Sequence, residues 1–197
     1  PNTTRILEAM ARRKATGTFF VLGWVAERHP DLVRSIAAAG HEVASHGWDH
    51  RRVTQLTPDE FRDQARRSKA LLEQLAGTPV LGYRAPSYSI VAGREWALDI
   101  LIEEGYGYDS SLFPVRRRGY GYAAGGRDPH WLQRPAGRLR EPLSAASRAT
   151  AKELLKYRWR MLASGLKYEL DALANKDFRY LTKTHLPRKL NEEDWLD

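Results

Sequence analysis

Two imidazoles four residues apart, in Ser45-His46-Gly47-Trp48-Asp49-His50, are the sharpest chemical feature of this 197-residue chain. Neutral imidazole is a common zinc ligand, and in a tight turn or one helical turn this spacing lets His46 and His50 face one point. A structural or incidental pair would look the same, so the weight lies in position. His41-Glu42-Val43-Ala44-Ser45 reads as a strand, and its exit delivers His46. Two further strand exits carry chemistry. In Arg84-Ala85-Pro86-Ser87-Tyr88, an arginine can grip a carboxylate in bidentate fashion, and Pro86 stiffens a turn from which a backbone N–H can be aimed at a substrate oxygen. A surface ion pair would use Arg84 equally well. In Asp109-Ser110-Ser111, a carboxylate stands where Arg84 could reach it, or where it could simply close a turn.

The elements that must position these groups alternate. A first helix carries Ile6, Leu7 and Met10, and Thr18-Phe19-Phe20-Val21-Leu22 is a β-branched and aromatic run. Pro30-Asp31 starts a helix through Leu32, Val33 and Ile36 that Gly40 stops. Thr57-Pro58-Asp59-Glu60 is a capping box with proline at the first helical position, and the helix it opens runs to Gly77. Val80-Leu81-Gly82-Tyr83 then delivers Arg84. A helix through Trp96, Leu98, Leu101 and Ile102 ends at Gly105, and Tyr106-Gly107-Tyr108 delivers Asp109. Such alternation predicts parallel strands with right-handed helical crossovers, which gather strand-end residues on one rim.

After Pro114 the pattern weakens. Residues 127–148, with Pro129, Pro135 and Pro142, read as irregular. From Thr150 a helical stripe runs through Leu155, Trp159, Leu162, Leu166, Leu170 and Leu173, and Phe178-Arg179-Tyr180-Leu181-Thr182 reads as a strand delivering His185. The organisation expected is therefore an α/β domain over 1–122, an irregular basic segment over 123–148, and a C-terminal helix, short strand and tail over 149–197. Base usage changes at the last boundary: residues 1–148 hold 20 Arg and two Lys, residues 149–197 four Arg and six Lys.

Composition bounds the function classes. Lys and Arg total 32 against 24 Asp and Glu, a net +8, and 42% of residues are hydrophobic, as in ordinary globular domains. Without cysteine there is no disulfide framework, no thiolate metal site and no thiol nucleophile. No apolar run approaches the roughly 20 residues that span a bilayer, and no signal-peptide pattern is present, which leaves cytoplasm and cell envelope open. Arg116-Arg117-Arg118 and the basic stretch from Arg127 to Arg160 raise nucleic acid as a partner, but no aromatic-and-basic recognition module accompanies them. Oligomeric state is not legible.

The three chemical stretches, together with Ala15-Thr16-Gly17-Thr18-Phe19-Phe20-Val21-Leu22-Gly23 and Tyr108-Asp109-Ser110-Ser111-Leu112-Phe113-Pro114, resemble the polysaccharide deacetylases of the NodB-homology group, carbohydrate esterase family 4. The likeness is nearest the subgroup associated with exopolysaccharide and exosortase clusters. It implies a distorted, incomplete (β/α) barrel and a zinc-dependent (or other divalent-metal) hydrolase that removes acetyl groups from an N-acetylated polysaccharide or oligosaccharide. By the same resemblance His46 and His50 are metal ligands, Arg84 orients a catalytic carboxylate and Asp109 supports that arginine. Pro86, Ser87 and Tyr88 shape the substrate-binding turn and groove, and His185 stands in the general-acid position. The family's first strand ends in two acidic residues, a base and the third metal ligand. That strand would lie immediately before Pro1, so this chain alone is expected to hold metal weakly. A noncatalytic carbohydrate-binding or assembly protein on the same scaffold is the alternative.

Overall fold

The longest helix shows how local sequence sets the frame. Thr57 accepts a hydrogen bond from the Glu60 N–H, the Glu60 carboxylate accepts one from the Thr57 N–H, and Pro58 occupies the first helical position, so three of the features that open a helix coincide. The helix ends at Gly77, whose φ of +69° is the left-handed closing conformation. A computed structural model describes this and the rest of the protein over residues 2–114, 121–126 and 128–141.

In chain order the elements are α1 (Asn2–Arg12), β1 (Thr18–Val21), α2 (Gly23–Arg28), α3 (Pro30–Ala38), β2 (Glu42–Ser45), α4 (Pro58–Ala76), β3 (Gly82–Tyr83), α5 (Trp96–Glu103), β4 (Tyr108–Asp109), β5 (His130–Arg134) and β6 (Gly137–Glu141). The strands form one sheet in the order β1-β2-β3-β4-β6-β5. Neighbours are parallel except β5 and β6, which are antiparallel. Because β1 to β4 follow one another in a single direction, right-handed crossovers put their connecting helices on one face of the sheet. There α4 packs on α2, α3, α5 and β2. This one-sided winding belongs to barrels rather than to doubly wound sheets, although among the described residues the sheet stays open.

Under the helices lie Val33, Ile36, Phe61, Leu72, Val80, Leu98, Leu101 and Leu139, each at most 2% exposed. The ring of Phe61 meets Tyr83 and Trp96 edge-on, both at 5.6 Å between centroids, so α4 is locked to β3 and to the start of α5. Arg62 and Arg66 of α4 also grip Glu104, which follows α5. On the opposite sheet face the Tyr108 ring lies directly over Gly82, where any Cβ would collide with it. Tyr108 Oη and Thr18 Oγ1 both donate to the Glu42 carboxylate on that face.

Two elements differ from the sequence expectation. Residues 127–148 read as irregular, yet 130–141 form a hairpin that extends the sheet through the Tyr108 to Arg140 pairing. Its buried apolar side chains are few, chiefly Leu132 and Leu139, and Pro135 sits in the turn rather than in a strand, so two-residue alternation is almost invisible. The six-residue α2, opened by Leu22-Gly23 without a side-chain cap, is likewise not signalled. The helix expected from Thr150, the strand expected at 178–182 and His185 lie outside the described residues.

Candidate active site

The C-terminal ends of β2, β3 and β4 lie side by side, because Ser45 is level with Tyr83 and Tyr83 with Asp109. The residues that follow them therefore share a rim. His46 is fixed there by its backbone N–H, which donates to the Val21 carbonyl at 2.9 Å, and by its ring. The ring Nδ1 lies 2.7 Å from the Arg84 carbonyl. A carbonyl only accepts, so Nδ1 carries the proton and Nε2 presents its lone pair, the arrangement typical of a metal-ligating histidine. Burial lowers the His46 pKa to about 4, assisted by the nearby His50 and Arg84 charges, so the ring is neutral at physiological pH. His50 is more exposed, and burial and the Arg52 charge shift its pKa downward too.

The rings of His46 and His50 are 5.2 Å apart at 68°. The turn between them depends on Gly47 at φ +80° and on His50 itself at φ +65°. It is held from below by Ser68, whose hydroxyl lies 3.0 Å from Ser45 Oγ and donates to the Gly47 carbonyl. Asp49, between the two histidines, is committed elsewhere: Gln64 Nε2 donates to one carboxylate oxygen and Arg51 Nε to the other. It is a turn carboxylate.

Arg84 does not hydrogen-bond to Asp109. Its Nε donates to the Ser110 carbonyl and one terminal nitrogen to Ser110 Oγ at 2.7 Å, while the guanidinium stacks 4.0 Å above Phe20. Asp109, fully buried, instead accepts from the N–H and hydroxyl of Ser111, and that hydroxyl accepts from the Ala85 N–H. Asp109 thus shapes the 109–111 turn, and the turn holds Arg84. Sequence reasoning missed Ser110 and Ser111 in these roles, and missed Glu141, a buried carboxyl at the end of β6. The one available signal was an isolated acid within a basic stretch.

Pro86, Ser87 and Tyr88 make a single tight turn beyond Arg84. Ser87 and Tyr88 both have positive φ, 56° and 51°, a conformation that costs a non-glycine residue energy and concentrates at functional sites. Tyr88 packs on Phe113 at 5.4 Å and leaves part of its ring exposed. The structure thus brings His46, His50, Arg84, Asp109 and the 86–88 turn to one rim.

As for a metal, the lone pair on His46 Nε2 beside His50 fits two ligand positions. Among the described residues no group of three or more potential ligands converges, so the third position that a catalytic zinc requires is not filled from these residues.

Fold and rim together define an α/β domain of the barrel type, wound on one side, with a polar site at its strand ends. Residues 1–96 match the family profile described as polysaccharide deacetylase. The peptidoglycan-N-acetylglucosamine deacetylase of Bacillus cereus is 32% identical over 98 residues, 49% of this chain and 36% of that protein. A solved structure of a polysaccharide deacetylase candidate from Mycobacterium smegmatis superposes with a TM-score of 0.61 at 35% identity, covering 73% of this chain and 46% of that one. A family-4 carbohydrate esterase pseudoenzyme from Bacillus anthracis matches with a TM-score of 0.50 at 26% identity, over 54% of this chain and 37% of that one. The likeness to polysaccharide deacetylases thus lies in residues 1–96, just under half of the chain. The chain spans about a third of the length of the curated relatives it matches.

Proposed function

We propose that this chain forms the body of a metal-dependent hydrolase that removes N-acetyl groups from an N-acetylated polysaccharide, with exopolysaccharide modification as its setting. The observation that carries the reading is the His46 ring, tied through Nδ1 to the Arg84 carbonyl with Nε2 directed away from that bond, beside His50.

In this reading His46 and His50 hold a divalent metal, zinc by resemblance, and the third ligand comes from an acidic residue outside the described ones. Bound there, the metal would supply a water acidified to a pKa of about 7 and polarise an acetamide carbonyl. The chain's own residues do the rest. Arg84, immobilised by Ser110, is pre-set to hold a carboxylate that takes a proton from the attacking water. The Pro86-Ser87-Tyr88 turn, rigid through Pro86, orients the acetamide, and the exposed part of the Tyr88 ring offers a face to a pyranose. His185 is the proposed donor of the proton that the departing amine requires. N-acetyl groups suit such a rim because an amide needs both an activated water and a protonated leaving nitrogen.

The second reading, a noncatalytic carbohydrate binder on the same scaffold, is favoured by the lack of a third ligand among the described residues and by the likeness to a pseudoenzyme. Zinc titration combined with acetate release from a chitin oligomer separates the two. Micromolar zinc binding with turnover abolished in His46→Ala supports the hydrolase. Oligomer binding with neither zinc uptake nor acetate release supports the binder.

A further inference from the structure

The last layer beneath the helices holds two acids side by side. Because Tyr108 is level with Arg140, the next residues, Asp109 of β4 and Glu141 of β6, lie adjacent on the helix-facing side of the sheet. Asp109 is 0% exposed and Glu141 2%. The groups that face them are few. Each carboxyl faces the other and feels the Arg84 charge, and the Tyr83 phenol lies near Asp109. Two of the Arg84 donors go to Ser110, and none is bonded to either acid.

Two buried carboxylates without a cation bonded to either cannot both be ionised; one proton must stay between them. The hydrogen bonds say which acid keeps it. Asp109 accepts from the N–H and the hydroxyl of Ser111, both of which favour its anion. Glu141 meets a single donor, the Leu112 N–H, and its Oε2 is buried without a hydrogen-bond partner. An anionic oxygen there would be left unsatisfied, whereas a protonated one becomes the donor to Asp109.

We infer that Glu141 is a positioning residue: as a neutral acid it donates to the Asp109 carboxylate, and so fixes the Ser110-Ser111 turn that holds Arg84 and, through the Arg84 carbonyl, the His46 ring. The path is continuous. Glu141 meets Asp109, Asp109 meets Ser111, Ser111 receives the Ala85 N–H, and the adjoining Arg84 carbonyl receives His46 Nδ1. Burial raises the pKa of both acids; the neighbouring carboxyl raises Glu141 further, while the hydrogen bonds from Ser111 pull Asp109 back down. The inference rests on the reading of the rim as the reaction site only for its functional meaning; the proton's location stands apart from it.

Crossed variants of the 197-residue protein test it. Glu141→Gln, whose amide donates as the neutral acid does, should melt no lower than wild type at pH 7 and keep the Arg84 Nε–H and His46 ring NMR signals in place. It should also abolish an infrared carbonyl band of a buried protonated carboxylic acid. Asp109→Asn, which offers one acceptor oxygen in place of two, and Glu141→Ala should each lower the melting temperature by about 5–10 °C and shift both sets of signals. The inference is overturned if Asp109→Asn is tolerated while Glu141→Gln is harmful, if no protonated-acid band exists in wild type, or if the Arg84 and His46 signals ignore both acids. Zinc titration is scored apart: its failure removes the hydrolase reading and leaves these signals where they are.

Discussion

At the scale of single residues, the His46 to His50 turn separates groups that look alike in sequence. His46, Asp49 and His50 are all potential ligands, yet Asp49 already accepts from Gln64 and Arg51. Asp49→Asn is therefore expected to change zinc affinity less than about threefold, whereas His50→Ala, which removes a proposed ligand, should cost more than the roughly 10–100-fold typical of losing an outer partner. Calorimetric titration of both variants checks the assignment, and a large loss in Asp49→Asn would make that residue a ligand. Gly47 gives a complementary handle. A Cβ there finds ordinary space, its nearest neighbour being Tyr83 Oη at 3.5 Å, so the cost of Gly47→Ala is that of φ +80° alone. Denaturant unfolding should show a loss of about 1–2 kcal/mol.

At the scale of elements, α4 is the frame against which the rim is built, and its start is the most sequence-legible feature of the fold. Thr57→Ala removes the acceptor for the Glu60 N–H and should cost about 1 kcal/mol in chemical denaturation. Phe61→Ala should cost about 3–5 kcal/mol, because the ring joins α4 to both β3 and α5. What could be read in advance follows from range. Capping boxes, helix-stopping glycines and short apolar runs are local signals, and they placed His46, Arg84 and Asp109 at successive strand exits. The β5–β6 hairpin could not be read, because its pairing rests on two leucines and on a contact with β4 some 30 residues earlier. For the same reason the partners of Arg84 were not legible. Whether its guanidinium meets Asp109 or Ser110 depends on which way the β4 exit turns, and the Ser111 hydrogen bonds decide that.

At the scale of the whole molecule, the Asp109–Glu141 pair converts a rim detail into a pH dependence of folding. In the unfolded chain a glutamate loses its proton near pH 4.3. In the folded protein, burial and the adjacent Asp109 carboxyl raise the Glu141 pKa, while the Arg84 charge opposes the shift. Between the two values the native state holds a proton that the unfolded state has released, so stability falls as pH rises, by up to about 1.4 kcal/mol per pH unit for one such group. The window from pH 7 to 9 isolates the effect. It lies above the range in which the lowered His46 and an ordinary histidine titrate, and below that of tyrosine, whose buried examples Tyr83 and Tyr106 are raised further. Glu141→Gln has no proton to lose there. Its stability advantage over wild type should be small at pH 5 and widen steadily from pH 7 to 9, as read by denaturant midpoints at each pH. Parallel curves for the two proteins across that window would mean that the pair holds no proton at neutral pH, and the neutral-acid assignment of Glu141 would fall.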